Sequence, residues 1–205
     1  MKVACVIPAR YASQRFPGKV LAKLAGRPLI QWVYNQACKA RKVDRVIVAT
    51  DDKRVEDCVR DFGGMAVITS PDHNSGTDRV AEVAQGLSDS LIVNVQGDEP
   101  LLPPEAIDQA IELLVNEPAA KMATLATPII EDQDLTNPNV VKVVVDEKGN
   151  ALSFFRAAIP SPRSQPFRQD TRRTPGTGRL TLTGHAASAV QSAVSTPPSP
   201  FYRHV

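Results

Sequence analysis

The chain has 205 residues, 42% of them hydrophobic and 5% aromatic, and a formal net charge of +2; that length buries one substantial core, with room for a smaller appendage. Its three widely separated cysteines, Cys5, Cys38 and Cys58, show neither a disulfide framework nor metal-ligand spacing and read as core thiols of a cytoplasmic protein. No apolar run approaches the roughly 20 residues needed to cross a bilayer, and Met1-Lys2 leads at once into an apolar run without a signal-peptide layout, so the expectation is a soluble, unexported protein with no membrane partner.

Val3-Ala4-Cys5-Val6-Ile7 reads as a buried first strand. It opens into a loop, Pro8 to Lys19, in which Pro17-Gly18 bends the chain so that Lys19 points back. Leu29, Trp32, Val33, Gln36 and Ala37 recur at helical spacing, with Pro28 where a first turn tolerates it. Arg45 to Thr50 is a second strand, and Asp51-Asp52 opens a helix whose Val55, Cys58, Val59 and Phe62 share a face and which Gly63-Gly64 ends. Met65 to Thr69 is a third strand. The polar loop Ser70 to Thr77 leads into a helix carrying Val80, Ala81, Val83 and Ala84, and Leu91 to Val95 is a fourth strand. A helix beginning near Pro103-Pro104 buries Ile107, Ala110, Ile111 and Leu114, and Met122 to Thr127 is a fifth strand. Strands alternating with helices of this length predict an α/β fold with a doubly wound, mostly parallel, Rossmann-like sheet. Val140 to Val145 and Ala151 to Phe155, flanking the turn-like Asp146 to Asn150, then predict an appended β-hairpin.

Past Pro160 the periodicity is lost. Residues 161–205 hold six Pro, twelve Ser or Thr, six Arg against the single acid Asp170, and neither Lys nor Ile. Such a tail assembles a packed element with difficulty and is expected to be disordered, although Ala186 to Val194 suits a short helix, marginal alone. The expected division is therefore an ordered α/β domain over 1–160, incomplete at its C-terminal side, and a divergent Pro/Ser/Thr/Arg-rich tail over 161–205. Scattered among Ser and Pro with few aromatics, the tail arginines do not read as a nucleic-acid surface.

Three loops leave the strands with functional side chains. Arg10, Arg15 and Lys19 supply cations at a strand exit, where open α/β sheets bind ligands. Asp72 to Arg79 offers hydroxyl and backbone groups to a base or ribose, and Gln96-Gly97-Asp98-Glu99-Pro100 places a carboxylate at the end of a central strand. A carboxylate there suits Mg²⁺, which takes one or two carboxylates together with substrate phosphates; a turn or helix-start carboxylate is the plainer use of the same residue. His73 reads equally as a loop hydrogen-bonding residue or a base. The set suits attack on a nucleoside triphosphate, where catalysis is positioning and electrostatics. No Walker-type Gly-x-x-x-x-Gly-Lys-Ser/Thr is present.

The runs Ile7 to Lys19, Ala49-Thr50-Asp51, His73 to Arg79, Asn94 to Pro100 and Asn137 to Val144 together resemble the 3-deoxy-manno-octulosonate (Kdo) cytidylyltransferases, or CMP-Kdo synthetases, over roughly residues 2 to 160. The resemblance implies a nucleotidyltransferase in which the anomeric hydroxyl of Kdo attacks the α-phosphate of CTP with Mg²⁺, giving CMP-Kdo and pyrophosphate for lipopolysaccharide or other Kdo-containing polysaccharide. It implies that Arg10, Arg15 and Lys19 grip the triphosphate, with Ala9 and Ser13 as backbone or hydroxyl contacts. Ser75 and Gly76 would border the cytidine, Gln96 would meet the sugar acid or ribose, and Asp98 would hold the metal, making Arg10, Lys19 and Asp98 the catalytic set. Arg156 would face the carboxylate of the sugar acid.

After Ile159-Pro160 the resemblance lapses. The family continues there into further sugar-binding residues, a homodimer contact and a second metal Asp, and the chain is read as divergent and cut short on that side. Thr174-Pro175-Gly176-Thr177-Gly178 resembles a Pro-Gly-Thr-Gly sequence near the second metal Asp, but no Asp follows it. Phe201 to Val205 resembles the start of the family's next strand. A transferase for another acidic sugar, such as a sialic acid, and a nucleotide-binding fragment without turnover are the two alternatives.

Overall fold

The computed structural model describes residues 1–12, 16–129, 131–147 and 149–158, and the backbone of 188–191 and 201–204. The chain divides into two units, 1–108 and 109–205. In the first unit the strands are β1 (Val3–Pro8), β4 (Arg45–Thr50), β5 (Ala66–Ile68) and β6 (Leu91–Asn94), in the spatial order β5-β4-β1-β6 and all parallel. β1 is central and buried along its whole length. Its pleat puts Val6 beside Ile47 on one face, where they cluster with Val80 and Val83 of α3 (Gly76–Gln85). On the opposite face Cys5, Ile7, Val46 and Val48 are buried as well. A parallel sheet covered on both sides needs such near-continuous apolar strands.

α2 (Lys53–Asp61) begins and ends where its sequence says, whereas α3 starts at Gly76, inside the expected loop Ser70 to Thr77. α2 starts on Asp52, whose carboxylate accepts the Arg54 N–H at 2.9 Å. It stops in a Schellman turn, with Gly63 at φ 82°, its N–H on the Arg60 carbonyl and the Gly64 N–H on that of Val59. α1 (Leu29–Ala37) buries Ile30, Val33 and Ala37. Ahead of it lies a small hairpin absent from the sequence reading, β2 (Lys23–Leu24) and β3 (Arg27–Pro28), turned through Ala25 and Gly26 at φ 49° and 81°. Two positive φ values in a two-residue loop match the twist of the flanking strands. Trp32, expected only to pack, also donates its indole N–H to the Leu24 carbonyl at 2.8 Å.

The expected fifth strand is β7 (Met122–Pro128), and it does not join this sheet. It lies in the second unit, in a five-stranded mixed sheet of order β10-β7-β11-β8-β9, with β8 (Lys142–Val145), β9 (Ala151–Phe155), β10 (Ser188–Gln191) and β11 (Phe201–His204). An apolar run announces a buried strand but not its ladder partner, and β7 finds parallel β10 and antiparallel β11. The hairpin β8–β9 is as expected, with Gly149 at φ 87° in its turn. Residues 188–191, expected to suit a short helix, are strand instead, because ladder pairing with β7 outweighs a weak local propensity. The Phe201–His204 strand agrees with the sequence reading, whereas the rest of 161–205 lies outside the described residues.

α4 (Pro104–Asn116) begins in the first unit and ends in the second. It buries Ile107 and Ile111 as expected, but Leu113 rather than Leu114, within a cluster of Ala126, Val143 and Ala151. Of the thiols, Cys5 is buried and Cys58 half-buried. Cys38, also read as core, is exposed, since it caps α1 where the chain turns out to solvent. No helix among the described residues is long and apolar enough to cross a membrane.

Candidate active site at the strand exits

Adjacent parallel strands deliver their exits side by side. The β1 exit continues as Pro8-Ala9-Arg10 and the β6 exit as Gln96-Gly97-Asp98. Gly97 lets the two backbones touch, because a Cβ built there would stand 2.8 Å from the Pro8 carbonyl oxygen. Gly76, at the start of α3, is pressed between the same elements: its Cβ would meet the Pro8 ring at 3.1 Å and Gln96 Oε1 at 3.5 Å. Two glycines thus admit the exit of β6 and the N-terminus of α3 to the exit of β1.

Lys19 reaches this junction from the end of the opening loop. Its ammonium lies 2.6 Å from Asp98 Oδ2, a pair 79 residues apart in sequence with both side chains about half exposed. The bend that aims it is Gly18, at φ 71°, whose N–H donates to the Tyr11 carbonyl at 2.8 Å. The Tyr11 ring fills the place of a Gly18 side chain, 3.0 Å from where a Cβ would stand, and the Arg54 guanidinium lies 3.5 Å from the centre of that ring. Arg54 is itself held bidentately by Asp52. This brace from α2 to the cationic loop escaped the sequence reading, since only the fold brings Arg54 to Tyr11.

Arg10 is exposed and Ala9 is buried, its N–H on the Ala49 carbonyl at 2.8 Å. Ser13 and Arg15 lie outside the described residues. Gln96 is exposed, its amide donating to Asn94 Oδ1 at 3.0 Å. Ser75 caps α3 through a reciprocal box with Asp78, hydroxyl to Asp78 N–H at 3.1 Å and carboxylate to Ser75 N–H at 3.1 Å. His73, open between two roles, pairs through Nε2 with Glu82. Behind the loop Arg79, only 3% exposed, sends Nη2 to Asp51 at 2.7 Å and Nη1 to Thr69 and the Ser70 carbonyl. Its role was invisible in sequence; the one signal is its place on the same helix face as Val80 and Val83.

Arg156 belongs to the second unit, just past β9, and the first-unit set does not include it. Its Nη1 donates to the Asn139 carbonyl at 3.1 Å and that of Pro138 at 3.4 Å. Lys142, fully buried, donates to the carbonyls of Asn137 at 2.6 Å and Arg156 at 3.2 Å. Its neighbour Val143, on the opposite face of β8, is fully buried as well.

Asp98 is a sterically open carboxylate already serving one cation. Beside it burial, reinforced by the Asp98 charge, pushes the Glu99 carboxyl above its ordinary value. Among the described residues no three or more His, Cys, Asp or Glu side chains gather around a cation-sized space. As a half-exposed carboxylate at a strand exit, Asp98 has the chemistry to give one oxygen to a hard divalent cation that takes its others from phosphate and water.

A family profile described as cytidylyltransferase matches residues 4–187. The chain belongs to the cytidylyltransferase family. Among curated relatives, the 3-deoxy-manno-octulosonate cytidylyltransferase of Trichlorobacter lovleyi is 54% identical over 160 residues, covering 78% of this chain and 64% of that protein. The enzyme of the same name from Pseudomonas fluorescens is 54% identical over 173 residues, covering 83% and 67%. The solved structure of CMP:2-keto-3-deoxy-manno-octonic acid synthetase complexed with CTP superposes with a TM-score of 0.76 at 44% identity, covering 80% of this chain and 67% of that one. A Leptospira borgpetersenii cytidylyltransferase shares the fold, with a TM-score of 0.54 at 22% identity over 62% of this chain and 54% of that one. The chain thus spans about two thirds of the length of these curated relatives.

Proposed function

We propose that this chain transfers CMP from CTP to Kdo, releasing pyrophosphate and supplying CMP-Kdo for Kdo-containing polysaccharide. The observation that carries the reading is the Lys19–Asp98 pair at the junction of the β1 and β6 exits, with α3 closing the third side. In the reaction the anomeric oxygen of Kdo forms a bond to the α-phosphorus, the bond from that phosphorus to the bridging oxygen of pyrophosphate breaks, and the hydroxyl proton passes to solvent.

Arg10, Arg15 and Lys19 grip the triphosphate, with Ser13 contributing a backbone or hydroxyl contact; Ala9, expected to add a backbone contact, has its N–H committed to the Ala49 carbonyl and instead anchors the start of the loop. Lys19 has two uses: without nucleotide it balances Asp98, and with nucleotide its ammonium turns to the phosphates. Ser75 and Gly76 border the cytidine, and Gln96 meets the sugar acid or ribose. Arg156, pre-oriented by the loop carbonyls and by Lys142, receives the sugar carboxylate. Asp98 would hold Mg²⁺, which when bound neutralises charge on the triphosphate and on the departing pyrophosphate. No side chain acts as a covalent nucleophile.

Pyrophosphate release with CTP, Mg²⁺ and Kdo tests the reading, alongside CTP-dependent thermal stabilisation, since a ligand specific for the folded state raises the midpoint. Release that requires Kdo supports it. Binding without release would leave a nucleotide-binding module, and release with a sialic acid in place of Kdo would reassign the acceptor. Sedimentation of the same sample reads whether the chain is the homodimer that the family resemblance implies.

A further inference from the structure

We propose that Arg79 is a positioning residue for base selection, holding the Ser70 to Gly76 loop in the geometry that separates cytosine from uracil. The inference rests on the reading that Ser75 and Gly76 border the cytidine.

Arg79 sits within the first turns of α3 and is 3% exposed. Its guanidinium ties three elements. Nη2 donates to Asp51 at 2.7 Å, just beyond β4. Nη1 donates to the Thr69 hydroxyl and, at 3.2 Å, to the Ser70 carbonyl, just beyond β5. Thr69 is in turn tied to β4, its N–H on the Thr50 carbonyl at 2.8 Å and its hydroxyl on the same oxygen at 3.1 Å. Glu82, three residues along the helix, takes the Ser70 N–H on its two oxygens at 3.0 and 3.3 Å and pairs with His73. Both backbone groups of Ser70 are therefore held by α3, the carbonyl through Arg79 and the N–H through Glu82. At its other end the loop is locked by the Ser75–Asp78 capping box.

A buried ion pair is an expensive way to stabilise a fold, because desolvation offsets most of the attraction. Apolar side chains facing Val80 and Val83 would hold α3 to the sheet equally well. What the guanidinium adds is a rigid fork that sets a carbonyl, a hydroxyl and a carboxylate in one plane, which lysine cannot reproduce. Cytosine and uracil differ only along one ring edge, where an amino donor and a ring acceptor replace a carbonyl acceptor and a ring donor. Reading that edge with loop groups requires them to be fixed to hydrogen-bond tolerance; a loosened loop serves both bases alike.

The test compares Mg²⁺-CTP and Mg²⁺-UTP dissociation constants, by calorimetry on the full chain, for the unmodified protein, Arg79→Lys, Arg79→Met and Glu82→Gln, at a temperature where each is folded by circular dichroism. Loss of one well-placed hydrogen bond corresponds to about a tenfold change, so the CTP-over-UTP preference is expected to fall about tenfold or more in both Arg79 variants. If Arg79→Met does not fold, Arg79→Lys carries the test. A lower melting temperature with an unchanged CTP-over-UTP ratio would show a merely structural role and overturn the inference while leaving the nucleotide site standing. An unmodified protein that binds CTP with no preference over UTP would overturn the inference alone, and one that binds no CTP would overturn both.

Discussion

Gly97→Ala tests whether the two strand exits must touch for the site to exist. The new methyl would stand 2.8 Å from the Pro8 carbonyl oxygen, whereas ordinary contact begins near 3.4 Å, so a displacement on the order of half an ångström is forced. Pro8 cannot readily yield. It ends the central strand in register with Ala49, and the next residue's N–H is bonded to the Ala49 carbonyl. The movement therefore falls on the β6 exit, which carries Asp98 away from Lys19. Overpacking of this kind costs about 1–3 kcal/mol, and at about 2–4 °C per kcal/mol for a chain of this size the melting temperature should fall by several degrees. A shift of up to about 1 Å in a reacting group costs roughly 10²-fold in rate, so pyrophosphate release should fall by about one to two orders of magnitude. Calorimetric CTP titration, scanning calorimetry and pyrophosphate release are the assays. A variant with an unchanged melting temperature and a kcat/KM within twofold of the parent would refute the argument that Gly97 is there for close approach.

Replacing Lys19 by Met should weaken CTP binding by about 10- to 100-fold, the worth of a charge-assisted hydrogen bond, with little effect on stability because the Asp98 pair is half exposed and such pairs contribute about 1 kcal/mol or less; unchanged CTP titration would remove Lys19 from the site. Asp52→Ala should cost about 1 kcal/mol through loss of the α2 cap. The Arg54 hydrogen bond holds the Asp52 carboxyl below its ordinary value, so this stabilisation is fully present above pH ~4 and is lost as the pH falls through the lower native value. Denaturant midpoints of parent and variant should therefore converge in acid, and a constant gap between pH 3 and 7 would show that the carboxylate charge plays no part. A maleimide should label Cys38 in the native protein and reach Cys5 only on unfolding, because Cys5 is buried and its thiol is pushed up to about 12; peptide mapping that finds Cys5 labelled first would contradict the burial of β1.

Much of the site was legible in the sequence because its pieces are local. The apolar run ahead of Pro8, the cationic loop bent at Gly18 and the carboxylate after β6 each declare themselves within a few residues. Arg79 and Arg54 did not, since a partner far away in the chain decides whether an arginine is buried against Asp51, laid over Tyr11 or left in solvent. Lys142 is a further case, because a strand with valines on both faces gives no sign that its lysine is buried, and only the fold supplies the carbonyls of Asn137 and Arg156.

By itself the sequence determined the order of the four parallel strands and of α1, α2 and α3 in the first unit, the start and stop of α2, the hairpin from Lys142 to Phe155 and the family motifs, all of which follow from short-range sterics and the two side-chain periods. Only the tertiary structure decided that β7 leaves the parallel sheet for a mixed one, that 188–191 pairs as a strand, that Cys38 faces outward, and that Lys19 meets Asp98. The physical reason is common to these. An apolar period dictates that a face must be buried but not what buries it, and that choice is made by ladder pairing and by close approaches such as Gly97 against Pro8, which exist only once the chain has closed on itself.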